Sequence, residues 1–189
     1  MNEGAAAWPL SLRLIHWASG ALILGTLGLG AWMVELVQDP ALRFDLTQTH
    51  KSIGVAALAL TVARLCLRML TASPKPLPAA PPLLLAARVS HISLYALLLL
   101  LPLSGWLMAT TTPIRVPTIV FGLFTLPYPL QPDLPAYKLA HAVHVVAAIV
   151  LAALTVLHVA AALVHALWWR DGILVRMWGT SNLKPAVKD

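Results

Sequence analysis

Charge is scarce in this chain: 11% of its 189 residues are Asp, Glu, Lys or Arg, against roughly one-quarter in an ordinary soluble domain. So low a share leaves too little polar surface to solvate a water-soluble fold of this length, and a membrane class is the first reading. Cysteine is nearly absent as well. The single Cys66 excludes an intramolecular disulfide framework and reads as packing. Internal repeats, a low-complexity tract and a second domain are also missing, so residues 1–189 read as one transmembrane domain. The first apolar segment has no small-residue cleavage site and is too long for a signal-peptide core, which makes it a retained helix.

What is abundant is apolar length, with 59% of the residues hydrophobic. Charge-free stretches run from Leu14 to Val34, Ser52 to Ala63, Val89 to Ile114 and Leu139 to Trp169. Three of them reach the roughly 20 residues that a bilayer span requires. The second gains length because Arg64 and Arg68 can snorkel to the headgroups, so Ser52 to Leu70 can still cross. The expectation is an all-α integral membrane four-helix bundle with helices near 12–34, 52–70, 89–110 and 139–169.

The net charge of +6 is distributed as a topology signal, not as a nucleic-acid footprint. With the N-terminus inside, one side holds Arg13, Arg64, Arg68, Lys75, Arg88, Arg170, Arg176, Lys184 and Lys188 against Glu3, Asp171 and Asp189. The other side balances Arg43, Lys51, Arg115 and Lys138 against Glu35, Asp39, Asp45 and Asp133. The positive-inside rule then places both termini in the cytoplasm. Thr71 to Pro82 reads as a stiff cytoplasmic linker, because Pro74, Pro76, Pro78, Pro81 and Pro82 favour extended structure. Thr111 to Tyr137 mixes apolar residues with prolines and reads as a loop or short interfacial helix resting on the membrane. The residues from about Thr180 are polar enough to be disordered.

Histidine carries the chemistry, since ionisable residues inside membrane helices are costly and are functional candidates by default. On the fourth segment His144 and His158 are 14 residues apart, almost four helical turns, so both project from one face about 21 Å apart. His16 near the inner start of the first helix and His50 at the outer start of the second lie at matching depths. That gives two pairs, His16 with His158 and His50 with His144. Neutral imidazole is a good iron ligand, and two from different helices can clamp a haem in an apolar bundle core. With both axial positions filled, such a haem has no open site and transfers electrons. For one membrane histidine the ordinary alternative is an interhelical hydrogen bond or a headgroup position; four at matched depths point beyond it. Binding of Zn²⁺ or Cu²⁺ alone is disfavoured, because no carboxylate or thiolate is placed to complete a site. His141 competes with His144 in sequence, but lies roughly 100° off the face of His158.

The segments RLIHWASG, THKSIGVAALALTVARLCLRM, VSHISLYALLLLLPLSGWLM and LHVAAALVHALWWRDGILVRM together resemble the four helix signatures of prokaryotic cytochrome b561, from about residue 11 to 178. FGLFTLPYP resembles the loop between the third and fourth helices in members that act as superoxide oxidases. The resemblance implies two b-type haems in a bacterial inner-membrane protein, on the same histidine pairs. It also implies electron entry at the periplasmic face, from superoxide in the best-matched members, and exit to ubiquinone at the cytoplasmic side. A haem-bearing subunit serving a partner dehydrogenase or periplasmic cytochrome is the alternative.

The remaining polar residues each have two readings. His165, two turns beyond His158, continues the same stripe, and with His91 it can meet a quinone or anchor at the interface. Arg64 and Arg68 can pair with haem propionates or the quinone site, or serve as topology anchors. Lys51, next to His50, can balance a propionate or attract superoxide, with Lys138 and Arg115 as helpers, or be a solvated lysine at a helix start.

Overall fold

The computed structural model describes residues 7–72, 74 and 77–179. Glu3, Lys75, Pro76 and the tail from Thr180, which the sequence reading assigned to topology, linker and disorder, lie outside the described residues. Four long helices, α1 (Leu10–Glu35), α2 (Pro40–Leu70), α3 (Pro81–Thr111) and α4 (Leu134–Val164), are joined by a two-stranded hairpin, β1 (Ile119–Val120) and β2 (Phe124–Thr125). A π-helical turn, His165–Trp169, extends α4 and leads to a short α5 (Ile173–Trp178). All four long helices, counting the π turn with the fourth, are long and apolar enough to cross a membrane. The four-helix membrane architecture expected from the apolar runs is therefore present.

Large apolar side chains face outward, Leu24 (59% exposed), Val146 (60%) and Val156 (68%) among them. The buried positions are mostly small: Ser19, Ala57, Thr61, Ala140 and Ala147. That inversion suits lipid, which offers no hydrophobic drive between helices and leaves close packing of small residues to hold them. Ser19, Thr61 and Thr155 return their hydroxyls to the carbonyls of Ile15, Ala57 and Leu151, at 2.6, 2.8 and 2.8 Å. No hydroxyl of these three is left unpaired in hydrocarbon. α1 packs mainly on α2 and α3 mainly on α4, with α2 bridging to α3.

Three helices start well before their charge-free runs, two at an aspartate cap and one at a pair of prolines. Asp39 accepts a hydrogen bond from the Ala41 amide at 2.9 Å with Pro40 in the first turn, so α2 begins at residue 40 and not 52. Asp133 does the same for the Ala136 amide at 2.9 Å, with Pro135 in the first turn of α4. Pro81 and Pro82, assigned above to the linker, open α3. Proline lacks an N–H, but the first turn needs none, and its fixed φ is already helical. Charge marks the edge of the membrane; caps mark the edge of the helix.

The connection from α3 to α4 is neither a helix nor a plain loop but an antiparallel hairpin, pairing Ile119 with Thr125 and Val120 with Phe124. Its turn puts Phe121 (φ 48°) and Gly122 (φ 74°) in the left-handed region, which is uncommon for a bulky aromatic. Ser52 on α2 holds it there: its hydroxyl accepts from the Phe121 amide at 3.1 Å and shares its one proton between the Gln48 carbonyl at 2.9 Å and the Ile119 carbonyl at 3.3 Å. Gln48 donates to the Pro117 carbonyl at 2.9 Å, and Tyr128 ties Thr118 to the Val116 carbonyl.

At the opposite end the Trp8 amide donates to the Arg176 carbonyl at 3.1 Å, and Trp17 Nε1 to the Met177 carbonyl at 3.2 Å. The rings of Trp17 and Trp178 lie 4.8 Å apart. The bundle thus has a hairpin end and a terminal end. Replacing Ser52 with Ala removes both hydrogen bonds to the hairpin and is expected to destabilise it by about 1–3 kcal/mol. Faster limited proteolysis between residues 118 and 126 would register the change; an unaltered cleavage rate would contradict the latch.

Candidate functional site

Four helices bring imidazoles together at two levels. At the hairpin end the rings of His50 on α2 and His144 on α4 have centroids 6.3 Å apart and planes crossed at 74°. At the terminal end His16 on α1 and His158 on α4 stand 6.2 Å apart, crossed at 71°. A ring nitrogen sits roughly 2 Å from a ligated metal and the centroid about 1 Å behind it, so rings facing each other across one metal stand roughly 6 Å apart. Both pairs match that separation.

The hairpin-end pair opens on a cavity of about 410 Å³ whose lining is almost wholly apolar and includes Thr26, Gly30, His50, Leu101, His144 and Ala148. His144 Nδ1 lies 3.0 Å from the Leu101 carbonyl and 3.0 Å from Ser104 Oγ. Donation from Nδ1 to that carbonyl fixes the tautomer and leaves Nε2 with a free lone pair, the state a metal ligand needs. Ser104 itself donates to Leu101 at 2.9 Å. His50 Nδ1 is buried with the Thr26 carbonyl close by but outside hydrogen-bond geometry. His16 Nδ1 is also buried without a hydrogen bond. Buried imidazole nitrogens in apolar surroundings are costly unless they bind something.

The terminal-end pair has a third imidazole beside it. The ring of His91 on α3 is 5.7 Å from that of His158. Arg64 lies over the Tyr95 ring at 5.3 Å and acts electrostatically on His16, His91 and His158. Arg68 lies over the Trp8 ring at 4.9 Å. His165 follows His158 by two turns of regular helix and caps α4, and the π turn begins there. Its Nδ1 is 2.5 Å from Asp171 Oδ2, the only ion pair among the described residues, and its ring meets Trp169 edge-on at 4.5 Å. Asp171 also accepts from the Ile173 amide at 3.1 Å. The partnership of Asp171 was missed; a carboxylate six residues after a histidine at an Asp-Gly turn was the available signal.

Lys51, next to His50 in the chain, is half-buried; the residue after it, Ser52, is the one bonded to the hairpin. Arg115 is taken up by the Leu130 carbonyl and by Gln131 Oε1, so it holds the loop. His141 stands beside Tyr137, ring centroids 6.2 Å apart.

Two crossed imidazole pairs in an apolar four-helix bundle define a class, the multi-pass membrane haem proteins of electron transfer. The profile of prokaryotic cytochrome b561 matches residues 7–180. The chain is also 35% identical over 168 residues to cytochrome b561 homolog 2 of Escherichia coli (strain K12), covering 88% of each. The protein belongs to the prokaryotic cytochrome b561 family. Membership implies b-type haem, and the separations, the tautomer of His144 and the apolar cavity fit it.

Proposed function

We propose that this cytochrome carries two b-type haems, one on His16 and His158 and the other on His50 and His144, and that it oxidises periplasmic superoxide while reducing ubiquinone. The reading is carried by the two imidazole pairs, alike in separation and crossing angle and set at the two ends of one bundle. Bound haem supplies one-electron carriers at two levels of the bilayer, so that electrons can cross it. Held by both histidines of a pair, such a haem would have no site open to oxygen and would serve electron transfer.

The positive-inside balance supports reading the chain as a bacterial inner-membrane protein with its terminal end in the cytoplasm and its hairpin end in the periplasm. There Lys51 is the local cation that draws in a small anion. At the other end His165 and His91 serve the quinone, with Arg68 as anion partner. The balance closes: two superoxides become two dioxygens, and the two electrons with two protons convert quinone to quinol. His165, held by Asp171, donates one of those protons and is recharged from the cytoplasmic water that reaches both side chains. A haem subunit that serves a protein donor is the second reading, favoured by the exposed apolar residues Ile114 (78%) and Leu123 (80%) at the hairpin end.

Rapid mixing with superoxide is expected to reduce the purified pigment and added quinone to reoxidise it; reduction no faster than the spontaneous rate, restored only by a co-purifying protein, would favour the second reading. Replacing Lys51 with Gln should slow that reduction by up to roughly tenfold at low salt, with less dependence on ionic strength. The Lys51 assignment fails if rate and salt dependence both stay as in the wild type. His158→Ala is expected to lose about half the haem, as one of two bis-histidine sites, while His91→Ala keeps all of it. Equal losses in both would make His91 a ligand. Asp171→Asn should slow quinol formation and leave reduction by superoxide untouched; a wild-type quinol rate removes Asp171 from the proton route.

A further inference from the structure

Six glycines lie in the membrane-spanning helices α1 and α2 or at Gly105 in α3, and two of them differ from the rest. A Cβ added to Gly20, Gly25, Gly28 or Gly54 would meet nothing within 4 Å. On Gly30 it would lie 3.2 Å from Cε1 and 3.6 Å from Nδ1 of His50. On Gly105 it would lie 3.3 Å from Cε1 and 3.5 Å from Nδ1 of His144. The two glycines come from different helices and abut the two rings of one pair.

The neighbourhood repeats as well. Four residues before Gly105, the Leu101 carbonyl is 3.0 Å from His144 Nδ1; four residues before Gly30, the Thr26 carbonyl lies beside His50. A helical side chain leans toward the N-terminus and covers the turn before its own Cα. A side chain at residue 105 or 30 would therefore cover the carbonyl that the imidazole faces; glycine leaves it bare. Helix propensity argues against glycine at both places, and simple helix-to-helix packing would put a neighbouring backbone, not a ring, against the missing Cβ.

We propose that Gly30 and Gly105 are positioning residues for the His50–His144 haem. Each forms, with the carbonyl one turn earlier, a cradle that receives the back of one imidazole, orients its Nδ1 and keeps the ring planes crossed at 74°. The proposal rests on the two-haem reading above. Its consequence is that the hairpin-end haem takes its spectrum and potential in part from two residues that carry no side chain.

Electron paramagnetic resonance and redox titration of the purified ferric holoprotein test it. Crossed imidazoles give a strongly anisotropic low-spin signal, and turning either ring toward its partner's plane reduces that anisotropy. In Gly30→Ala and in Gly105→Ala the same one of two signals should move or be lost while the other persists as the internal control of folding. In Gly105→Ala, weaker donation from His144 Nδ1 to the Leu101 carbonyl makes that imidazole a poorer donor to ferric iron, so the midpoint of that haem should rise, its one-electron equilibrium shifting by about two- to tenfold; in Gly30→Ala, where His50 Nδ1 has no such bond to lose, the turned ring is read from the signal. Gly25→Ala should leave both signals and both midpoints unchanged. Wild-type signals and midpoints in both cradle variants, or movement of different haems in the two, would overturn the proposal. A wild-type protein with one haem or none would instead overturn the two-haem reading and this proposal with it.

Discussion

An imidazole inside a membrane helix has no water to satisfy its two nitrogens, and the arrangement of this bundle follows from that constraint. Each candidate ligand must find something within the protein or bind something brought to it. His144 solves half of the problem with a backbone carbonyl, which commits its other nitrogen to the partner side. His16 and His50 leave Nδ1 without a hydrogen bond. Their partners across the bundle stand at the separation that one shared metal would impose. The family's b-type haem explains why polar rings belong in a core otherwise made of small and apolar residues.

The two ends of the bundle are built differently around this shared theme. At the hairpin end the pair sits beside a roomy apolar cavity, and Ser52, two residues from His50, holds the strained turn of the hairpin. At the terminal end the pair is joined by a third imidazole, and the end is closed by the Trp17–Trp178 ring contact, the Trp17 Nε1 bond to the Met177 carbonyl and the Trp8 amide bond to the Arg176 carbonyl. An asymmetric bundle of this kind suits unlike redox partners at its two ends. A small anion needs a local cation and little room, whereas a quinone needs an approach from the lipid and a source of protons.

The π turn at the end of α4 has a specific effect. It begins at His165, two regular helical turns beyond His158, and the chain then reverses through Arg170 and Gly172, both with positive φ. That reversal brings Asp171 back onto His165. Irregular backbone of this sort is common at functional sites, and here it converts a lone interfacial histidine into a carboxylate-held one.

The four spanning helices, their apolar outward faces and the family were legible in the amino-acid order, because hydropathy and residue spacing are local properties that a bilayer reads directly. The depths of His16, His50, His144 and His158 were legible for the same reason: helical rise converts position into height. Tertiary structure alone decided what shares a height. It put His91 against His158 and set Gly30 and Gly105 behind the hairpin-end rings. Neither follows from spacing, since each depends on how one helix is rotated about its axis against another. The helix starts at Pro40, Pro81 and Leu134 also escaped a reading by charge, because a capped helix can run past the hydrocarbon boundary into water, where nothing in its hydropathy marks the continuation.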